Sequence, residues 1–148
     1  MNHGRRTTSH RPRQRVFVFD CEALSKAVHG DREMVALIRT APRLDIPVIT
    51  SALTTLEAWD PREGARQALW NWTLSRVRIV HTDDRVISTA RDLLRTAGLH
   101  GHKYAIDAVL AAVAAREAAQ GAQATVFTSD TDDMTQLLAG HSVRIEKV

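Results

Sequence analysis

At 148 residues, with 44% apolar and 25% charged side chains, the chain is long enough for one compact domain with a sizeable core. No apolar run approaches the roughly 20 residues that cross a bilayer, and the basic N-terminus lacks the apolar stretch of a secretory signal, so membrane and secreted classes are not expected. The single cysteine, Cys21, leaves no intramolecular disulfide and fits a reducing, cytoplasmic setting.

The formal net charge of +3 is unevenly placed. Residues 1–19 hold Arg5, Arg6, Arg11, Arg13 and Arg15 and no acid, so the remainder carries two more acids than bases. Residues 1–14, rich in Arg, His, Thr, Ser and Pro, read as a disordered basic tail. Its charge alone would attract RNA phosphates; a solvated extension is the plain alternative. Residues 15–148 read as a single domain without the character of a basic groove binder.

In chain order, Arg15 to Phe19 reads as a buried strand, being β-branched and aromatic throughout. Glu22 to Val28 reads as a short helix. Asp31 can cap the next helix, in which Met34, Val35, Leu37 and Ile38 recur at helical spacing. Pro42 and Pro47 bracket a turn before the strand Val48-Ile49-Thr50. Ser51 opens a helix carrying Leu53, Leu56 and Glu57. Asp60-Pro61 predicts a helix start, with Ala65, Leu69 and Trp72 on the helix. Val77 to Val80 is a third strand, and Thr82 or Asp83 caps a helix that Gly98 stops. Leu99 to Lys103 reads as a loop and Tyr104 to Ala119 as a central, alanine-rich helix closed by Gly121. Ala124 to Thr128 is a fourth strand, Asp130 to Leu138 a helix, and Ser142 to Val148 a final strand. Strands alternating with helices predict an α/β sandwich around a parallel sheet.

Against that frame, four acids fall at structural junctions. Asp20 ends the first strand, Asp130 follows the fourth, Glu57 lies on the helix after the second, and Asp107 sits in the apolar run Tyr104-Ala105-Ile106-Asp107-Ala108-Val109-Leu110. Ligands of open α/β sheets gather beyond the carboxyl ends of the strands, and ordinary right-handed crossovers can bring these acids together there. Clustered carboxylates repel one another unless a cation joins them, and Mg²⁺ or Mn²⁺ prefers such oxygen ligands. A site of this kind can direct water at a phosphodiester. Each acid also has a structural alternative: Asp20 as a turn residue or cap, Glu57 as a surface charge, Asp130 as a cap. Asp107, flanked by Ile106, Ala108 and Val109, is the hardest to explain that way.

The pieces Val18-Phe19-Asp20, Thr54-Thr55-Leu56-Glu57, Tyr104-Ala105-Ile106-Asp107-Ala108 and Thr128-Ser129-Asp130-Thr131-Asp132-Asp133 together resemble the PIN-domain ribonucleases, in particular the VapC-like toxins of bacterial toxin–antitoxin pairs. The resemblance spans residues 16–133, in the family's order. It implies a three-layer α/β/α sandwich with a central, mainly parallel sheet and Mg²⁺- or Mn²⁺-dependent cleavage of RNA. It further implies a cognate antitoxin, a homodimer, and Asp20, Glu57, Asp107 and Asp130 as the catalytic and metal-binding acids. Asp132 would be an accessory ligand and Asp133 a weaker candidate. Thr128 or Ser129 would hydrogen-bond the ligands. Many relatives carry a small hydroxyl residue shortly after the first acid, whereas this chain reads Asp20-Cys21-Glu22-Ala23, so Glu22 is either an extra carboxylate or the opening of the first helix.

Other features point elsewhere less well. Zinc would need a Cys/His ligand spacing that does not accompany His100 and His102. His102 and Lys103, placed before the Asp107 helix, could touch a substrate phosphate; a solvated loop is the simpler reading. Cys21 lacks the partners of a nucleophile. Trp59, Trp70 and Trp72 serve packing or a partner surface more readily than base stacking. Two further functional classes compete: a PIN-like module that binds RNA or protein without cutting, and a receiver-like phosphotransfer domain. The latter needs an acidic pair near strand one and a conveniently placed Lys after a late strand; Asp20-Cys21-Glu22 only partly imitates the first, and nothing after Phe127 supplies the second.

Overall fold

The computed structural model describes residues 13–62 and 66–148. Most of the basic tail and Ala65 lie outside the described residues.

Strands β1 (Arg15–Phe19), β2 (Val48–Ser51), β3 (Arg78–Val80), β4 (Gln123–Thr128) and β5 (Val143–Lys147) form one sheet in the order β3-β2-β1-β4-β5. Every pairing is parallel, with Phe17 opposite both Val48 and Thr125. A parallel sheet needs crossovers, and helices supply them: α1 (Cys21–Val28), α2 (Arg32–Thr40), α3 (Ala52–Glu57), α4 (Gln67–Arg76), α5 (Asp84–Ala97), α6 (Gly101–Ala119) and α7 (Thr131–Leu137).

The period-two alternation of β1 divides the core. Val16 and Val18 pack with Ile49, Val126 and the buried faces of α5, α6 and α7. Phe17 and Phe19 face the other way, against Ala23, Ala27, Met34, Ile38 and Val48. The sheet is thus covered on both faces, the α/β/α sandwich expected from the sequence. Phe127 meets Phe17 and Phe19 edge-on, with ring centroids 5.1 and 5.6 Å apart.

Helix starts follow the capping residues. Asp20, Asp31, Ser51, Asp83 and Asp130 each accept a backbone N–H of the helix that follows. Gly98, at φ 68°, closes α5 in the left-handed conformation.

Two boundaries differ from the sequence reading. Asp60 does not open a helix: its Oδ1 accepts Arg62 N–H at 3.0 Å in a local turn, and α4 begins only at Gln67. Leu99–Lys103 is not all loop: the carbonyl of His100 accepts from Lys103 and Tyr104, so α6 begins at Gly101. His102 and Lys103 therefore stand on the first turn of the helix that carries Asp107.

The strand order also sets where a ligand can enter. The chain leaves β1 toward β2 and β3, then crosses back to place β4 on the other side of β1. The β1/β4 boundary is therefore the topological switch point, where a crevice opens beyond the strand ends. Asp20 and Asp130 follow these two strands.

Candidate active site

Asp20 is the fixed point. Its N–H donates to the Phe127 carbonyl at 3.1 Å, tying it to the end of β4, and its Oδ1 accepts from Ala23 N–H at 2.9 Å. Only 7% of the residue is exposed. Burial raises its carboxyl above the usual range, opposed by hydrogen bonds from Ala23, Thr128, Ser129 and Glu22.

Two buried threonines hold the strand ends. The Thr50 hydroxyl donates to the Phe19 carbonyl at 2.7 Å, satisfying the last residue of β1 from β2. The Thr128 hydroxyl accepts Asp130 N–H at 2.9 Å and also serves the Asp20 carboxylate. One hydroxyl can do both, because it carries a donor and two acceptor lone pairs. Thr128 thus couples Asp20 to Asp130.

Helix α6 brings Asp107 to the same edge, half-buried. Burial pushes its carboxyl up to about 6, and the charges of Glu57, Asp130, Asp133 and Asp20 add to the effect. Glu57, the last residue of α3, is exposed at the surface, yet loss of water on its protein side raises its carboxyl and the Asp20 charge adds. Asp130 is exposed and caps α7, accepting Asp133 N–H at 3.3 Å. Four acids from four elements therefore share one electrostatic neighbourhood.

Cys21 lies in the same neighbourhood. Burial, then the charges of Glu57, Asp20, Glu22 and Asp107, push its thiol up to about 12. A thiol so placed stays protonated at neutral pH and is a poor nucleophile.

The acid that the sequence reading ranked low, Asp133, is the better placed of its pair. Its N–H donates to Asp130 Oδ1 at 3.3 Å, its charge acts on Asp107, and its own carboxyl is raised, Asp130 being the leading cause. Asp132 is exposed and acts on Asp133 by charge. The signal was present in the sequence: with Asp130 as N-cap, the third helical residue is Asp133, the position whose side chain turns back toward the cap. Glu22 is exposed on the first turn of α1, with its charge felt at Cys21.

The residues present fit a hard divalent cation in chemistry. Their donors are carboxylate and hydroxyl oxygens; burial raises Asp20, Glu57 and Asp107, and like charges add to the effect at Glu57 and Asp107, which a cation would relieve. Among the described residues, no three His, Cys, Asp or Glu side chains stand within reach of a single ion as placed.

Elsewhere, Trp72 lies between the guanidiniums of Arg39 and Arg76, at 5.6 and 5.0 Å from its ring, and packs on the α1–α2 side of the core. Trp59 and Trp70 meet edge-on at 5.0 Å. With Trp59 45% and Leu56 73% exposed, the end of α3 presents apolar surface beside Glu57. No described helix is long and apolar enough to cross a membrane.

No protein-family model and no curated protein matches the sequence. Solved structures do match the fold. A chain of VapBC2 from Rickettsia felis, bound to a DNA fragment from their promoter, superposes with a TM-score of 0.65 at 14% identity, covering 90% of this chain and 98% of that one. A chain of DNA-bound VapBC from Salmonella typhimurium gives 0.63 at 15% identity, with the same 90% and 98% coverage. The chain therefore has the fold of those VapBC chains, the PIN-like α/β/α sandwich that its motifs resemble.

Proposed function

We propose that this protein is a metal-dependent endoribonuclease, the toxin of a toxin–antitoxin pair, which cleaves RNA phosphodiesters with water in the cytoplasm. One observation carries the reading: Asp107, half-buried, is pushed up to about 6 by burial and then by the charges of Glu57, Asp130, Asp133 and Asp20, acids far from it in sequence. Acids held together at such cost are characteristic of functional sites. The shared fold with VapBC chains supports the same reading.

In this account Asp20, Glu57, Asp107 and Asp130 would hold Mg²⁺ or Mn²⁺, with Asp132 or Asp133 at the margin. When bound, the cation supplies a polarised water and neutralises charge on the phosphoryl oxygens. The chain's own work is placement. Asp20, buried and held by Ala23 and Thr128, fixes one side of the crevice. Thr128 keeps Asp130 in register with it. One of these acids could also help orient the attacking water. The products would carry 5′-phosphate and 3′-hydroxyl ends. The exposed Leu56 and Trp59 suit contact with a protein, either an antitoxin or a second copy in a homodimer.

The test is cleavage of single-stranded RNA by purified protein with Mn²⁺, with Asp20→Ala and Asp107→Ala as variants. Activity in the parent and none in either folded variant supports the assignment; unchanged activity in both removes it. A second reading, a PIN-like module that binds without cutting, is favoured by the spacing of the acids, which as placed brings no three onto one ion. That reading predicts RNA or partner binding with no metal uptake and no cleavage.

A further inference from the structure

A crevice lined by carboxylates is a poor landing place for a polyanion unless a fixed cation stands beside it. Lys103 has that position. It lies on the first turn of α6, exposed, four residues before Asp107 and so on the same face of the helix. Its charge acts on both Asp130 and Asp133, and its Nζ stands 5.1 Å from the Tyr104 ring centroid. The positive end of α6 lies behind it, and His100 caps that end without a side-chain hydrogen bond. Lys103 is exposed on that turn, and its charge reaches Asp130 and Asp133 across solvent rather than in an ion pair, so little of the fold depends on where the ammonium points.

We propose that Lys103 is the phosphate-anchoring residue of this site, its ammonium gripping the RNA backbone beside the bond that is cut. The inference rests on the ribonuclease reading above and adds to it the residue that receives the substrate's charge. Lysine suits the role as a compact point charge on a flexible stem.

The experiment uses the full chain, with a labelled single-stranded RNA and Mn²⁺. Lys103→Gln is expected to raise KM about tenfold with kcat within about twofold of the parent, and Lys103→Arg to restore most of the difference. A second readout is anisotropy of the same RNA, uncut, on Asp107→Asn and on Asp107→Asn with Lys103→Gln, across a salt series. The slope of log affinity against log salt should fall by about 0.7 when Lys103 is lost, the value of one phosphate contact on a single strand. If the parent cleaves RNA but Lys103→Gln leaves KM and the salt slope unchanged, the inference fails and the ribonuclease reading stands. A fall in kcat with KM and slope unchanged also overturns it, since Lys103 would then serve the chemistry or the fold. If the parent neither cuts nor binds RNA, both fall together.

Discussion

The two halves of α6 put one helix in two environments. Gly101 to Asp107 is exposed or half-buried and carries Lys103, Tyr104 and Asp107, whereas Ala108 to Ala115 is buried without interruption. In the second half, side chains answer to volume: small alanines let α6 lie close to the sheet while Leu110 and Val113 fill the space between. In the first half, Asp107 answers to something else. It is partly stripped of water among like charges, and the fold alone would be better served by an uncharged residue there. Stability is built in one half and spent in the other.

The contrast is broken most directly by exchanging the losses. Asp107→Ala is expected to lower Mn²⁺-stimulated RNA cleavage at least about 100-fold while its urea midpoint holds or rises. A variant that loses activity only because it unfolds would erase the distinction. Three residues on, Leu110→Ala should do the reverse. Leu110 is 1% exposed, and its truncation is expected to cost about 2–5 kcal/mol in urea unfolding. A loss below about 1 kcal/mol would mean that the second half is less tightly packed than its burial implies.

pH sharpens the same comparison. The carboxyls of Asp20, Glu57, Asp107 and Asp133 are all raised in the folded protein, Asp107 to about 6. The folded state therefore binds protons more tightly than the unfolded chain does. The stability this confers is full below the ordinary carboxylate range and is lost as pH rises through about 6. In chelator, Tm should fall by a few degrees between pH 4.5 and pH 7.5. Asp107→Asn should flatten that slope, and Leu110→Ala should lower the curve without changing its shape. Equal slopes in the parent and Asp107→Asn would count against the shared field. The smallest effect is expected at Thr128→Val, which removes the hydroxyl linking Asp20 and Asp130 at a cost of about 1 kcal/mol. Unfolding midpoints identical to the parent's would show that this link carries no energy.

Much of this was legible in the chain. Capping residues located most helices, because an Asp or Ser that accepts the N–H groups of the next turn is a local device. The alternation of Val16, Phe17, Val18 and Phe19 announced a strand buried on both sides. Asp20 and Asp130 could be put at strand ends for the same local reason. The meeting of those two with Glu57 and Asp107 was not local. It depends on the crossover that sets β4 beside β1, and periodicity names an element without naming its neighbours. The start of α6 was misread because Gly101 weakens the helical pattern. The Asp60-Pro61 start was misread because an Asp side chain can close on Arg62 two residues ahead instead of capping a helix. Asp133 was ranked below Asp132 by resemblance, although the capping position favours it.

Isothermal titration of the metal-free protein with Mn²⁺ tests the central claim most directly, set beside the same titration of Asp107→Asn. The account predicts saturable binding by the parent at neutral pH and at least about tenfold weaker binding by the variant, since one charged ligand is lost. Equal affinity in the two proteins, or no uptake by the parent, would contradict it.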